Sequence, residues 1–135
     1  MSLEASPGEP ATVLDASALL AMLHAEPGGD IVKDLLQTAA ISTVNWSEVV
    51  QKALYRNVKV QGLRQDLEAL GLRILPFTAD QAERTASLRA ETLHLGLSLG
   101  DRACLALAAE LGLPAVTTDR VWRDLSIGIE IRAVR

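Results

Sequence analysis

The chain has 135 residues, 49% of them apolar, with 13 Lys and Arg against 17 Asp and Glu for a net charge of −4. That length is enough to bury one core without cross-links, while the apolar stretches are too short and too broken by charge or glycine to cross a bilayer. Cys104 is the only cysteine, which excludes an internal disulfide, and the acidic balance argues against gripping nucleic acid by bulk electrostatics. With no basic, apolar and small-residue order near the amino terminus, the expected location is the cytoplasm, away from any membrane.

Residues 1–10 hold two prolines and a glycine without periodicity and are expected to form a disordered extension, leaving a single domain over residues 11–135. Ala11 to Leu14 is a short β-prone run. Ala16, Leu19, Leu20 and Leu23 then repeat at helical spacing until Pro27-Gly28-Gly29 breaks the pattern. A short helix is predicted from Ile31 to Gln37 and a strand from Ala39 to Ser42. Trp46, Val49, Val50, Ala53 and Leu54 form the next helical stripe, ended by Asn57. Leu63, Leu67 and Leu70 mark another helix that stops at Gly71.

Arg73 to Phe77 reads as a third strand ended by proline. Thr78-Ala79-Asp80 opens a long helix that carries Ala82, Ala86, Ala90 and Leu93 and stops at Gly96. Leu99 to Leu111 is apolar almost all round, which predicts a helix at the centre of the domain. Ala115 to Thr118 is strand-like, Arg120 to Leu125 allows one or two helical turns, and Ile127, Ile129, Ile131 and Ala133 alternate as a last strand. This alternation predicts a three-layer α/β/α sandwich with a mostly parallel central sheet.

Four acids, Asp15, Glu48, Asp101 and Asp119, each fall where a strand-like run or the turn after it passes into a helical pattern. In an open α/β sheet those junctions lie on one edge, so carboxylates far apart in sequence can meet there. Setting the four aside leaves 13 acids against 13 bases, so the excess negative charge is consistent with a single site. Capping is the competing explanation. Ser98-Leu99-Gly100-Asp101 has the form of a capping box with Asp for Glu, Asn45-Trp46-Ser47-Glu48 has the same form, and Asp15 and Asp119 suit an N-cap. Against capping alone, Asp15 precedes a fully apolar helix and Asp101 heads the most apolar one. Both should be largely withdrawn from water, which is costly for a charge without a cation or strong hydrogen bonds. A carboxylate cluster without Cys or His partners selects a hard cation, Mg²⁺ or Mn²⁺ rather than zinc, and suits phosphodiester cleavage by metal-activated water.

Four segments carry a family resemblance: Val13-Leu14-Asp15-Ala16-Ser17-Ala18-Leu19-Leu20, Trp46-Ser47-Glu48-Val49, Leu97 to Ala108 around Asp101, and Val116-Thr117-Thr118-Asp119-Arg120-Val121-Trp122. In order and spacing they resemble the PIN-domain ribonucleases, and more narrowly the VapC-type toxins of toxin–antitoxin pairs, from Thr12 onward. The resemblance implies a PIN-like sandwich and a Mg²⁺- or Mn²⁺-dependent endoribonuclease. Asp15, Glu48, Asp101 and Asp119 stand at the family's acidic positions, as catalytic residues and metal ligands. Asp15, Asp101 and Asp119 are expected as direct ligands, with Glu48 binding a second ion or placing the attacking water. Ser17 and Thr117 match small hydroxyl positions beside the acids, where they can orient a carboxylate; their bland reading is a cap and a strand residue. The implied partners are an RNA substrate, a small VapB-like antitoxin and a second copy in a homodimer.

Other residues draw plainer readings. Arg102 and Arg120 follow site acids but are expected in surface salt bridges, Trp46 in the core, and His24 and His94 at helix ends. Alternatives are a housekeeping PIN nuclease without an antitoxin, or a non-catalytic acidic α/β module for interaction or signalling. A phospho-receiver needs a late lysine, yet the last two lysines here are Lys52 and Lys59.

Overall fold

The computed structural model describes residues 9–135, so most of the extension expected over residues 1–10 lies outside the described residues. Strands and helices alternate as β1 (Thr12–Leu14), α1 (Ala16–Leu23), α2 (Gly29–Leu35), β2 (Ala39–Ser42), α3 (Thr43–Tyr55), α4 (Leu63–Ala69), β3 (Arg73–Leu75), α5 (Ala79–Thr92), α6 (Leu99–Leu111), β4 (Ala115–Thr117) and β5 (Ile131–Ala133). Single 3-10 turns occupy Leu36–Thr38, Leu93–Leu95 and Arg120–Asp124. None of the described helices is long and apolar enough to cross a membrane.

All four strand pairings are parallel, in the order β3-β2-β1-β4-β5. The inner strands are buried on both sides because helices cover both faces, which explains why they read as continuous apolar runs rather than alternating ones. Leu14, Ile41 and Val116 pack with residues of α1 to α4 on one face. Val13 and Ala115 pack with Leu88 of α5 and Cys104 to Ala108 of α6 on the other. The chain steps outward from β1 through β2 to β3, then returns to the opposite side of β1 for β4 and β5. Connections therefore leave β1 and β4 in opposite directions, opening a crevice at their carboxyl ends, the place where open α/β sheets bind ligands.

Three local expectations are corrected. β3 stops at Leu75 rather than Phe77, since Pro76 has no N–H to give to the ladder. The last strand is confined to Ile131–Ala133: β4 offers only three residues for pairing, and Gly128 bends the chain at φ 78°. Ile127 and Ile129 still pack against the core without joining the sheet. On α5 the alanines Ala82, Ala86 and Ala90 face solvent, while Gln81, Thr85, Leu88 and Thr92 face inward. Partners on α6 serve part of that face: Gln81 Nε2 donates to Glu110 Oε2 at 2.7 Å and Arg102 Nη1 to the Thr85 backbone carbonyl at 2.8 Å, while Thr85 Oγ1 stays buried without a partner. Arg102 is thus buried between helices, not in a surface salt bridge.

Candidate active site

Asp15 follows β1 directly and is the N-cap of α1, which places its carboxylate in the crevice between β1 and β4. Its Oδ1 accepts from the Ala18 backbone N–H at 2.8 Å and from the Ser17 hydroxyl at 2.7 Å. Its Oδ2 accepts a short hydrogen bond from Thr117 Oγ1 at the end of β4. Both hydroxyls also take a backbone N–H from the turn after β4: Ser17 Oγ from Thr118 at 3.1 Å and Thr117 Oγ1 from Asp119 at 3.0 Å. The two hydroxyls therefore fix the Asp15 carboxylate and tie α1 to β4, functions beyond a cap and a strand residue.

Asp15 is buried, and burial pushes its pKa up to about 6 from an ordinary 3.8. The bonds from Thr117, Ser17 and Ala18 oppose that rise, and the nearby Asp101 charge adds to it. Among the described residues the ion pairs are Arg64–Glu68, Arg132–Glu130 and Arg135–Glu26, none of which reaches Asp15. A buried carboxylate with no cationic partner is the condition a metal ion or a proton relieves.

Asp101 lies in the first turn of α6, where the expected capping box forms: Ser98 Oγ accepts from Asp101 N at 3.1 Å, and Asp101 Oδ2 accepts from Ser98 N at 2.9 Å. It is half-buried, less withdrawn from water than its apolar helix suggested, because it stands at the exposed mouth of that helix.

Glu48 is not part of a capping box. Ser42 caps α3, accepting from Val44 N at 3.2 Å, so Asn45 and Glu48 both lie inside the helix, one turn apart. Asn45 Nδ2 donates to Glu48 Oε1 at 2.9 Å and to the Gly100 carbonyl at 2.9 Å. The sequence reads Asn45 only as a cap and assigns Gly100 no role of its own. Their signals were an Asn three residues before an acid on one helix face and a glycine inside an apolar helix, where it weakens the helix unless close approach requires it.

Buried Cys104 on α6 lies within the electrostatic reach of three of the acids. Burial raises its thiol pKa well above the ordinary value, and the charges of Asp15, Asp101 and Glu48 raise it further. Those three acids therefore share one neighbourhood. Asp119 is exposed at its rim, capping the Arg120–Asp124 turn through Val121 N at 3.0 Å. A cleft of about 580 Å³ opens between the first turns of α3 and α6, with Ser47, Glu48 and Ser98 on its walls.

Among the described residues no three His, Cys, Asp or Glu side chains form a ready-made metal cage. Three of the four acids accept from backbone N–H groups of their own turns, Asp15 from Ala18, Asp101 from Ser98 and Asp119 from Val121. The donor set nevertheless fits a hard divalent cation: it is all oxygen, its deepest member is buried without a counter-charge, and Asp101 and Asp119 sit on turns from which a side-chain rotation frees them. Among the described residues Arg120 is in no salt bridge either; its Nε donates to the Arg135 carbonyl at 2.8 Å. Trp122 is fully buried and Trp46 packs at the edge of the core.

A family profile described as the PIN domain matches residues 12–128. Among curated proteins no relative matches the sequence. Solved structures share the fold. A toxin–antitoxin complex from Klebsiella pneumoniae aligns at TM-score 0.69 and 23% identity, over 90% of this chain and 100% of that one. The DNA-bound VapBC complex of Salmonella typhimurium aligns at 0.70 and 20%, over 93% and 99%. A Mycobacterium tuberculosis VapC toxin, named as cleaving the sarcin–ricin loop, aligns at 0.67 and 16%, over 89% and 99%.

Proposed function

The chain belongs to the PIN-domain family, and from that premise we propose that it is a divalent-metal-dependent endoribonuclease, the toxin of a cytoplasmic toxin–antitoxin pair. The observation that carries this reading is Asp15: a buried carboxylate, raised to a pKa of about 6 and lacking an ion-pair partner among the described residues, at the crevice where the sheet reverses. Structural relatives named as toxins, in complexes with antitoxins or as an RNA-loop-cleaving enzyme, support the substrate and the partner.

In this reading Asp15, Asp101 and Asp119 hold Mg²⁺ or Mn²⁺. When bound, such an ion neutralises charge on the scissile phosphate and acidifies the attacking water. Ser17 and Thr117 keep the Asp15 carboxylate aimed at the crevice, since each donates to one of its oxygens. Asp101 would join them through its carboxylate, of which Oδ2 takes the bond from Ser98 N. Glu48 Oε2, which the Asn45 amide leaves free, is the atom placed to orient the attacking water or accept its proton. The substrate is an RNA strand entering past the end of α3 toward the start of α4, where residues 49–65 hold Lys52, Arg56, Lys59 and Arg64 and no acid, in a chain that is otherwise acidic. A small VapB-like antitoxin and a second copy of the chain complete the assembly.

Cleavage of RNA should require Mg²⁺ or Mn²⁺, stop on chelation, and be lost in Asp101→Asn. Cleavage that ignores a chelator, or that survives the substitution, refutes the metal mechanism. Growth arrest on expression, relieved by co-expression of the neighbouring small gene, tests the toxin role separately; arrest that no neighbour relieves leaves a nuclease without an antitoxin.

A further inference from the structure

The environment of Glu48 is constructed from two sides. On one, Asn45 is almost fully buried and spends both amide hydrogens, one on Glu48 Oε1 and one on the Gly100 carbonyl, 55 residues away in sequence. Both targets are acceptors, so the amide orientation is forced: flipping it would set an oxygen against a carboxylate and a carbonyl. The consequence is that Asn45 Oδ1 is left buried without a partner, a burden borne only because the other orientation is worse. On the other side, a Cβ built at Gly100 would come within 2.5 Å of Glu48 Oε1 and 2.7 Å of Oε2. The φ of Gly100 is not positive, so the backbone does not demand glycine there; the Glu48 carboxylate does. An amide on α3 and a missing methyl on α6 together define where the carboxylate sits.

We propose that Asn45 and Gly100 form a seat for Glu48, making Asn45 a positioning residue of the nuclease site and Gly100 the notch that admits the carboxylate. The inference rests on the nuclease reading above, and it extends that site to two residues outside the four acids. Asn45 acts through Glu48: it withdraws Oε1 into a hydrogen bond and leaves Oε2 for the chemistry. It also couples α3 to the start of α6, one residue before Asp101, so the same side chain that holds Glu48 ties it to the turn carrying the second acid.

The test uses the full chain with three variants, Gly100→Ala, Asn45→Ala and Glu48→Gln, and two readouts: RNA cleavage kinetics, and the Mn²⁺ concentration at which the melting temperature rises. Gly100→Ala is the decisive variant, because alanine favours a helix over glycine and the atoms it displaces are the far end of a flexible side chain. It should fold at least as stably as wild type without metal, yet lose about 10- to 100-fold in kcat or need that much more Mn²⁺ for half the melting shift. Asn45→Ala should show the same loss, and combined with Glu48→Gln it should cleave no more slowly than Glu48→Gln alone. If Asn45→Ala does not fold, Gly100→Ala alone decides. A merely structural role predicts lower metal-free melting temperatures with unchanged kcat and Mn²⁺ midpoint, and that result overturns the seat. Wild-type cleavage matched by Gly100→Ala also overturns it while leaving the nuclease reading intact. A wild type that neither cleaves RNA nor responds to Mn²⁺ overturns both.

Discussion

Replacing Asp15 with Asn should stabilise the metal-free protein while abolishing cleavage. Burial raises the Asp15 pKa from 3.8 to about 6, and at about 1.36 kcal/mol per unit the ionised carboxylate costs the fold about 3 kcal/mol. The folded pKa lies above the unfolded one, so the folded state binds the proton more tightly. Stability therefore falls as pH rises from about 4 to about 6, with the full penalty above that window and none below it. Asn carries no charge, and its side-chain oxygen can still accept from Ser17 and Ala18 while its amide donates toward Thr117 Oγ1. At pH 8 without metal, Asp15→Asn should melt above wild type by roughly 10 °C, and at pH 4 the two should coincide. Differential scanning fluorimetry across that range, paired with an RNA-cleavage assay, measures both effects. A variant that melts below wild type at pH 8, or a difference that does not change with pH, would refute the electrostatic reasoning.

Metal should recover the same free energy in the wild type: at 100 times its dissociation constant, Mn²⁺ or Mg²⁺ should stabilise by about 2.7 kcal/mol, an effect absent in Asp15→Asn and fading below pH 6 as protons compete for Asp15. Thr117→Val removes a bond that holds the Asp15 pKa down, so the acid limb of the pH–rate profile should move to higher pH and kcat should fall about 10- to 100-fold; an unmoved limb would show that the hydroxyl does not act on Asp15. Lys52→Glu with Arg56→Glu should raise KM several-fold, weaken the salt dependence of RNA binding and leave kcat unchanged, unless RNA runs elsewhere.

Much of this was legible because the residues that build the site also punctuate the fold. Asp15 ends a buried strand and caps a helix, and Asp101 completes the predicted capping box, so chain position revealed both. What stayed hidden depends on which way a helix face turns. The alanines were the apolar marks that identified α5, yet Gln81, Thr85, Leu88 and Thr92 face inward, where Glu110 accepts from the Gln81 amide and Arg102 donates to the Thr85 backbone carbonyl. Asn45 read as a cap because a cap and a mid-helix clamp have the same spacing; only the placement of α6 against α3 distinguishes them. The absence of a ready-made cage was equally unreadable, since sequence gives the carboxylates but not the backbone N–H groups they presently serve.

The capping box at Ser98 and Asp101 has a dynamic corollary. Asp101 Oδ2 holds the Ser98 N–H, and a cation taken up by the same carboxylate would draw electron density away from that hydrogen bond. Loading the site should then speed hydrogen exchange at the Ser98 amide while slowing it at Ala18, whose bond to Asp15 Oδ1 tightens the opposite wall of the crevice. Occupancy would be reported by one helix start loosening as another firms, an exchange of local order across the sheet edge rather than a uniform stiffening of the protein.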